Sequence, residues 1–219
     1  MVDTKGILHK GRADLRTPES AFKWRLCEIS NGERRTGGIP EAMQGTDVCI
    51  ALSHPDPGLI KPKWVASMAK DAIVFACANP LPEIWPWEAK DAGARIVATR
   101  RSDFANQVNN ALGFPAIFRG VLDVEATQIT EDMCIAAAEE LATCAEEKGL
   151  SEEYILPRMD DWDVFPREAT AVGMKAIEQG VARRAMTQEA LLEKASTLIK
   201  RARDETRTLM EHGIIPMAG

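Results

Sequence analysis

The sequence predicts an α/β fold built on a parallel β-sheet, and three apolar segments of strand length carry that prediction. They begin near residues 47, 73 and 95, with the sequences DVCIAL, IVFACA and RIVAT. A short apolar run closed by turn residues is typical of a strand that is buried on both faces, as strands in parallel sheets are. Helical segments separate the three runs, and strands that alternate with helices form parallel sheets with right-handed crossovers.

Length and composition are those of one globular domain of ordinary size. The 219 residues are 45% hydrophobic and 27% charged, with a formal net charge of -6. Because the basic residues are scattered, we expect neither a nucleic-acid partner nor a membrane partner. The apolar runs are far too short to span a bilayer, and no signal peptide follows Met1, so we expect a cytoplasmic protein. Five cysteines without a CxxC pair predict reduced core residues.

The first residues, Val2-Asp3 followed by Thr-Lys-Gly, predict the end of a strand and the turn after it. An acidic residue at the end of the second strand of a dinucleotide-binding fold accepts hydrogen bonds from the adenosine ribose. A turn aspartate in a short loop is the alternative. Apolar residues at helical spacing then predict helices over residues 19–31 and 39–45, before the first buried strand.

The remaining helices are predicted from the same spacing. Two connect the strands, and three follow Gly120: residues 61–68, 87–92, 130–147, 167–183 and 187–212. The last helix carries a narrow apolar stripe, which suits docking either on the same domain or on a second subunit. We therefore predict a dinucleotide-binding domain over residues 1–184 and a helical tail over residues 185–219.

The connection PRMDDWDVFP contains three aspartates, at positions 160, 161 and 163. Alternate carboxylates occur in calcium-binding loops, but the glycine and the distant glutamate of such loops are missing here. The sequence therefore predicts a solvated loop and no metal site.

The segment 102–120, SDFANQVNNALGFPAIFRG, contains four amides followed by a compact apolar run. Amide side chains donate and accept hydrogen bonds without charge, which suits binding of a carboxylate, a hydroxyl or a carboxamide. The pattern predicts the polar lip of a pocket leading into a buried helix. A capped helix start, with amides that point to water, is the alternative.

Asn79 directly follows the strand at residues 73–77, in the sequence ANPLPEI. Ligands of open parallel sheets bind just beyond the carboxyl ends of the strands. The position of Asn79 therefore favours a ligand-binding role over a purely structural one.

ANPLPEI, together with ATRRSDFANQVNNALGFPAIFRG, resembles the malic enzymes in the compact form found in bacteria and archaea. The resemblance runs from about Val2 to Arg183 and is strongest between Ala78 and Gly120. It implies a partial Rossmann-like, doubly wound sheet whose first strand and glycine-rich turn are missing, followed by a helical extension. Such enzymes oxidise L-malate with NAD or NADP and decarboxylate the product to pyruvate, using Mg or Mn.

The resemblance also implies roles for individual residues. Asn79 and Asn109 lie against the nicotinamide and the substrate, and Asn110 contacts the malate. Ser53 lies beside the cofactor, and Asp3 binds the ribose. Asp3 favours NAD, because a carboxylate repels a 2′-phosphate, but the neighbouring Lys5 and Arg12 offset this and leave NADP open.

This sequence departs from the family pattern at several positions. Arg100 replaces a glycine before Arg-Ser-Asp, and Ala51, Ala105 and Ala116 also replace family residues. Arg100 places a bulky cation where the backbone needs freedom or close approach, so we expect weaker cofactor binding.

The family's catalytic tyrosine and lysine, its metal ligands and its pyrophosphate-binding glycine turn belong to the half that precedes this domain. The one tyrosine of this chain, Tyr154, lies outside the matching motifs. The sequence therefore predicts a chain with no catalytic and no metal-binding residue of its own, inactive alone, which forms a homodimer or associates with the missing amino-terminal half. The alternative is a non-catalytic subunit that binds a nucleotide or a dicarboxylate and docks on a partner.

Overall fold

The structure, a computed structural model, describes residues 1–216 and forms two compact units, Met1–Gln107 and the chain from Val108 onwards. Within the described residues, no helix has the length and apolar character needed to cross a membrane. The boundary between the units lies inside the amide segment. The domain boundary predicted at residue 184 stays a prediction.

The first unit contains the predicted parallel sheet. Its three parallel strands lie side by side in chain order, and a two-stranded antiparallel hairpin precedes them. Four short helices accompany these strands. The bounds are β1 Val2–Asp3, β2 Gly6–Ile7, α1 Ala21–Ile29, α2 Ile39–Met43, β3 Val48–Ala51, α3 Pro62–Val65, β4 Ile73–Ala76, α4 Pro86–Asp91 and β5 Ile96–Thr99.

One face of the sheet is buried and the other is partly open. Residues of all three strands that share one face, Cys49, Val74 and Val97, pack in a core with residues of α2, α3 and α4. On the opposite face, Val48 and Ile50 of β3 are exposed. The apolar character of both faces is what a sheet covered on each side requires.

The second unit is a bundle of four helices: α5 Phe114–Asp123, α6 Glu131–Lys148, α7 Val164–Glu178 and α8 Gln188–Glu211. Helices α5 and α7 approach closely at Gly120, where a Cβ atom would collide with the carbonyl oxygen of Ala169. Leu191 and Ala195 of α8 are fully buried. The first half of the terminal helix therefore docks within its own unit, which is one of the two alternatives that the sequence left open.

Helix α7 begins three residues earlier than predicted and ends earlier as well. Pro166 lies in its first turn, where the missing N–H has no helical acceptor in any case, so proline is tolerated. At the other end, Gly180 has a φ of +69°. The N–H of Val181 donates to the carbonyl of Ala176 at 3.0 Å, and that of Gly180 donates to Ile177 at 3.0 Å. This pair of bonds is a Schellman motif, which ends the helix.

Helix α5 differs from the predicted buried helix. Ala116, Gly120 and Asp123 are buried on one side, whereas Phe114 and Phe118 are half-exposed on the other. The rings of Phe114 and Phe118 lie edge to face with centroids 6.2 Å apart. The apolar run is therefore amphipathic in its packing, with only one face in the core of its unit.

Candidate functional site

Ser53 and Asn79 follow two neighbouring strands of the sheet. Ser53 lies two residues after β3 and Asn79 three residues after β4, and the last residues of these strands, Ala51 and Ala76, are paired. Because the carboxyl ends of parallel strands meet at one edge of the sheet, the structure brings the two predicted residues to that edge. The Asn79–Pro80 peptide bond is cis, and the side chain of Asn79 is exposed.

A buried carboxylate, Glu83, organises this edge. Its Oε1 accepts hydrogen bonds from the backbone N–H and the hydroxyl of Ser53, at 2.8 and 3.3 Å, and its Oε2 accepts from the N–H of Ala78 at 3.0 Å. Charge-assisted hydrogen bonds of this kind are about twice as strong as neutral ones. Glu83 therefore links the loop after β3 to the loop after β4. It fixes the backbone positions of Ser53 and Asn79.

Sequence reasoning missed Glu83 as a site residue. The available signal was an acidic residue inside the otherwise apolar segment PLPEI, since a fully buried carboxylate requires partners. Its charge also acts on its surroundings. Burial, with the Glu83 carboxylate as a second cause, raises the pKa of the Cys49 thiol to about 11, so this cysteine stays a protonated packing residue.

The four amides of the segment after β5 have different roles. Asn106 is buried, adopts a φ of +54° and donates through Nδ2 to the carbonyl of Val97 at 3.1 Å. Asn109 precedes a short 3-10 helix at Asn110–Leu112, and its Oδ1 accepts from the N–H of Ala111 at 3.0 Å. Asn106 therefore fixes the loop to β5, and Asn109 caps a helical turn as the structural alternative predicted.

Asn110 is exposed and begins the 3-10 helix next to Asn109. The two amides are thus neighbours at the amino end of α5, in the second unit, whereas Asn79 and Ser53 belong to the first. Arg100 is half-buried after β5, and its expected effect on cofactor binding stays a prediction.

An aromatic cluster stands beside the predicted edge. The rings of Trp85 and Trp87 are stacked with centroids 4.9 Å apart, and Phe104 meets both of them at steep angles. Arg101 lies over Trp85 and Phe104 and forms a bidentate ion pair with Asp103, at 2.8 and 2.6 Å. These contacts hold the loop after β5 against the turn after β4.

Asp3 lies at the end of β1, in a dense cluster of charges. Its Oδ1 accepts from Arg12 at 3.1 Å and from the N–H of Lys5 at 3.0 Å, and its Oδ2 accepts from Arg12 at 3.3 Å and from Lys23 at 2.9 Å. Hydrogen bonds from Arg12, against the opposing effect of burial, hold the pKa of Asp3 well below its usual range. The sequence indicated Arg12 as a neighbour and missed Lys23, which lies twenty residues further along the chain.

A cavity of about 550 Å³ lies beside the hairpin, where Met1 and Ile7 line it. It opens at the amino end of β3, beside Thr46 and Val48, whereas Ser53 follows the carboxyl end. This cavity is therefore separate from the predicted edge. Among residues 1–216, no three histidine, cysteine, aspartate or glutamate side chains are grouped in a way that could hold a metal ion.

Comparisons with known proteins show the family to which this chain is related. The family described as malic enzyme, NAD-binding domain, matches residues 1–178. The chain is 44% identical over 198 residues to the bifunctional malic/malolactic enzyme of Bacillus subtilis, covering 90% of this chain and 47% of that protein. It is 40% identical to the NADP-dependent malic enzyme of Halomonas elongata, covering 84% of this chain and 45% of that protein. The chain thus spans less than half the length of these relatives.

Solved structures show the same relationship. The malic enzyme of Entamoeba histolytica superposes on the whole of this chain with a TM-score of 0.95 and 46% identity, over 45% of its own length. The malic enzyme of Pyrococcus horikoshii superposes on 88% of this chain with a TM-score of 0.81 and 47% identity, over 44% of its length. These matches confirm the predicted Rossmann-like α/β fold. The chain belongs to the malic enzyme family, whose NAD-binding domain it represents.

Proposed function

We propose that this chain supplies the cofactor- and substrate-binding part of a malic enzyme that converts L-malate and NAD or NADP to pyruvate, CO₂ and the reduced cofactor. The observation that carries the proposal is the edge organised by Glu83. It places Ser53 and Asn79 beyond the carboxyl ends of adjacent parallel strands, where dinucleotide folds bind their ligands.

Each predicted residue has a role that its chemistry suits. Ser53 and Asn79 contact the cofactor, with Asn79 also next to the substrate, and Asp3 lies at the adenosine ribose. Asn109 and Asn110 bind the carboxylate of malate and the carboxamide of the nicotinamide, because amides donate and accept without adding charge. The cofactor would supply the hydride acceptor when bound, and these residues would orient it and the substrate.

The divalent metal of the family, Mg or Mn, is not assigned to this chain. A metal of this kind polarises the oxygen atoms of the substrate when it is bound. We propose that its ligands and the proton-transferring residues lie on polypeptide outside this sequence, because the chain spans less than half the length of its relatives.

The open face of the sheet supports the proposal that the catalytic residues lie on other polypeptide. Val48, Ile50 and Leu52 present exposed apolar side chains along β3 and just beyond it, although parallel sheets are normally covered on both faces. We therefore propose that the chain alone is inactive and that it forms a homodimer or associates with the missing amino-terminal half. Its five free cysteines fit a reducing compartment such as the cytoplasm.

A complementation assay tests the proposal. The purified chain is assayed with L-malate, Mn²⁺ and either cofactor, alone and after co-expression with the amino-terminal half of the Bacillus subtilis relative. We expect no turnover by the chain alone and measurable turnover by the assembly. Clear turnover by the chain alone would contradict the proposal. Ligand binding without turnover by a well-formed assembly would favour a non-catalytic binding subunit.

Substitution of a predicted site amide, with another amide as the control, tests the proposed malate site within this chain. Asn110→Ala is expected to weaken L-malate binding about tenfold, which corresponds to the loss of about one hydrogen bond to a charged ligand. Gln188→Ala, at an exposed amide on α8 outside the predicted site, is the control and leaves malate binding unchanged. Equal malate affinity in the wild type and in Asn110→Ala would remove Asn110 from the proposed site.

A further inference from the structure

Helix α5 leaves a row of apolar side chains exposed on the second unit. Its inner side, with Ala116 and Gly120, is buried, whereas Phe114, Phe118 and Leu122 are 50%, 52% and 63% exposed. These three residues are spaced four apart, so they form one continuous row along the helix. Apolar residues scattered singly on a surface need no explanation, but a contiguous row of two aromatic rings and a leucine marks an interaction surface. We call this row the α5 ridge.

The α5 ridge is rigid and carries no unpaired charge from its own helix. The rings of Phe114 and Phe118 already pack edge to face, 6.2 Å apart, so a partner orders little that is not ordered before it binds. The two ionisable side chains of α5, Arg119 and Asp123, bind each other at 3.0 and 2.7 Å, and Asp123 also binds Lys194 of α8 at 3.0 Å. These groups therefore stay paired when the ridge is covered.

The geometry of the α5 ridge is complementary to itself. Phe114 and Leu122 are each four residues from Phe118. A two-fold axis perpendicular to the helix at Phe118 therefore places Phe118 against its own copy, and Phe114 of each chain against Leu122 of the other. Rows of residues four apart interdigitate in the commonest class of helix packing, with a crossing angle of about 50°. A second copy of the ridge thus fits the first.

We propose that the α5 ridge is a symmetric docking surface for a second copy of this chain, with the two α5 helices antiparallel and crossing at Phe118. The proposal rests on the proposed function and deepens it, because it assigns a surface to the homodimer named there. The helix is about 15 Å long. Because the helices run in opposite directions, Asn109 and Asn110 of the two chains lie at opposite ends of the contact. One short ridge forms its centre, so we expect a weak dimer with a micromolar Kd.

Charge substitutions at Phe118 test the proposal on the full chain. Sedimentation velocity over a concentration series should show a reversible dimer for the wild type. Phe118→Asp and Phe118→Lys should each raise the dimer Kd at least about hundredfold, because each substitution enters the interface twice and places like charges face to face. An equimolar mixture of the two variants should pair at least about tenfold more tightly than either variant alone, because opposite charges then meet at the axis. Recovery in the mixture also excludes misfolding as the cause of the loss.

Ile135→Asp, at an apolar residue of α6 that is 53% exposed, is the matched control and leaves the dimer unchanged. A wild-type chain that stays monomeric well above the micromolar range, a dimer that persists in both Phe118 variants, or a mixture that does not pair would overturn the proposal.

The other possible occupant of the ridge has its own signature. If the wild-type chain stayed monomeric and Phe118→Asp abolished association with the amino-terminal half of the Bacillus subtilis relative, the ridge would dock the catalytic half, and the proposal would be overturned. Sedimentation needs no malate. Failure of the proposed function is therefore distinguishable, because it shows as lost malate binding and failed complementation, whatever the oligomeric state.

Discussion

Two fully buried glutamates, one in each unit, have opposite environments. Glu83 in the sheet unit accepts three hydrogen bonds from Ser53 and Ala78. Glu168, on α7 of the bundle, has two carboxyl oxygens without a hydrogen-bond partner. Because an ionised group loses its hydration on burial, partners decide whether it stays charged. The comparison shows that the same residue type organises a site in one unit and is a source of instability in the other.

The largest expected effect is the pH dependence caused by Glu168. Burial raises the pKa of Glu168 to about 8 from an ordinary value of 4.5. A raised folded-state pKa gives stability that is fully present below pH 4.5 and is lost as the pH rises through 8. At 1.36 kcal/mol per unit, the loss is about 5 kcal/mol. Urea denaturation across this pH range should show the loss in the wild type and its absence in Glu168→Gln.

The control for this prediction is Glu193→Gln, at an exposed position on α8, which should keep the wild-type pH profile. If Glu168→Gln retained the full pH dependence, Glu168 would not be its source, and the contrast between the two carboxylates would disappear.

Truncation of the partnered carboxylate should have the next largest effect. Glu83→Ala leaves the buried N–H of Ala78, and the N–H and hydroxyl of Ser53, without their acceptor, which costs about 3 kcal/mol. The free energy of unfolding, measured in urea at pH 7, should fall by this amount. Glu83→Gln keeps one acceptor oxygen and should lose about half as much. An unchanged denaturation midpoint for Glu83→Ala would show that this carboxylate does not hold the two loops together.

Close packing of the bundle gives a smaller effect. Gly120→Ala places a methyl group against the backbone of α7 at Ala169 and should cost about 2 kcal/mol, a typical value for overpacking. Gly149→Ala, at a glycine with no atom within 4 Å of the added Cβ, tests a different origin, because its φ of +94° is strained for alanine. Thermal unfolding of the two variants separates crowding from backbone strain. Equal stability of Gly120→Ala and the wild type would mean that α5 and α7 can move apart without cost.

The smallest effect is expected at a half-buried helix cap. The hydroxyl of Thr130 accepts from the N–H of Met133 at 3.2 Å at the start of α6. Thr130→Ala should cost about 1 kcal/mol, as is typical for loss of an N-cap. Thr130→Ser keeps the hydroxyl and should be nearly neutral in the same thermal unfolding measurement. Equal losses in both variants would point to the methyl group of Thr130 instead of its hydroxyl.

The sequence predicted the parts of the fold that depend on local pattern. The three strands lie within one or two residues of their predicted positions, because a short apolar run bounded by turn residues is a local signal. The position of Asn79 after a buried strand was predicted for the same reason. The amide cluster was also visible, but its division into Asn106, which fixes a loop, and Asn109, which caps a helical turn, required the structure.

The local sequence pattern did not predict which face of α5 is buried. The segment containing Phe114 and Phe118 is apolar throughout and was expected to be buried, yet only the side with Ala116 and Gly120 enters the core of its unit. Hydrophobic content indicates that a helix can be buried. The elements packed against the helix determine which of its faces is buried.

The sequence by itself determined the α/β class, the strand positions and the family resemblance, since each depends on residues close together in the chain. Only the tertiary structure decided the partners of the charged groups. Glu83 binds Ser53 across thirty residues and Lys23 binds Asp3 across twenty, while the buried carboxyl oxygens of Glu168 have no hydrogen-bond partner among the described residues. The physical reason is that a buried or clustered charge is governed by the donors and the solvent around it in space, and folding alone brings these together.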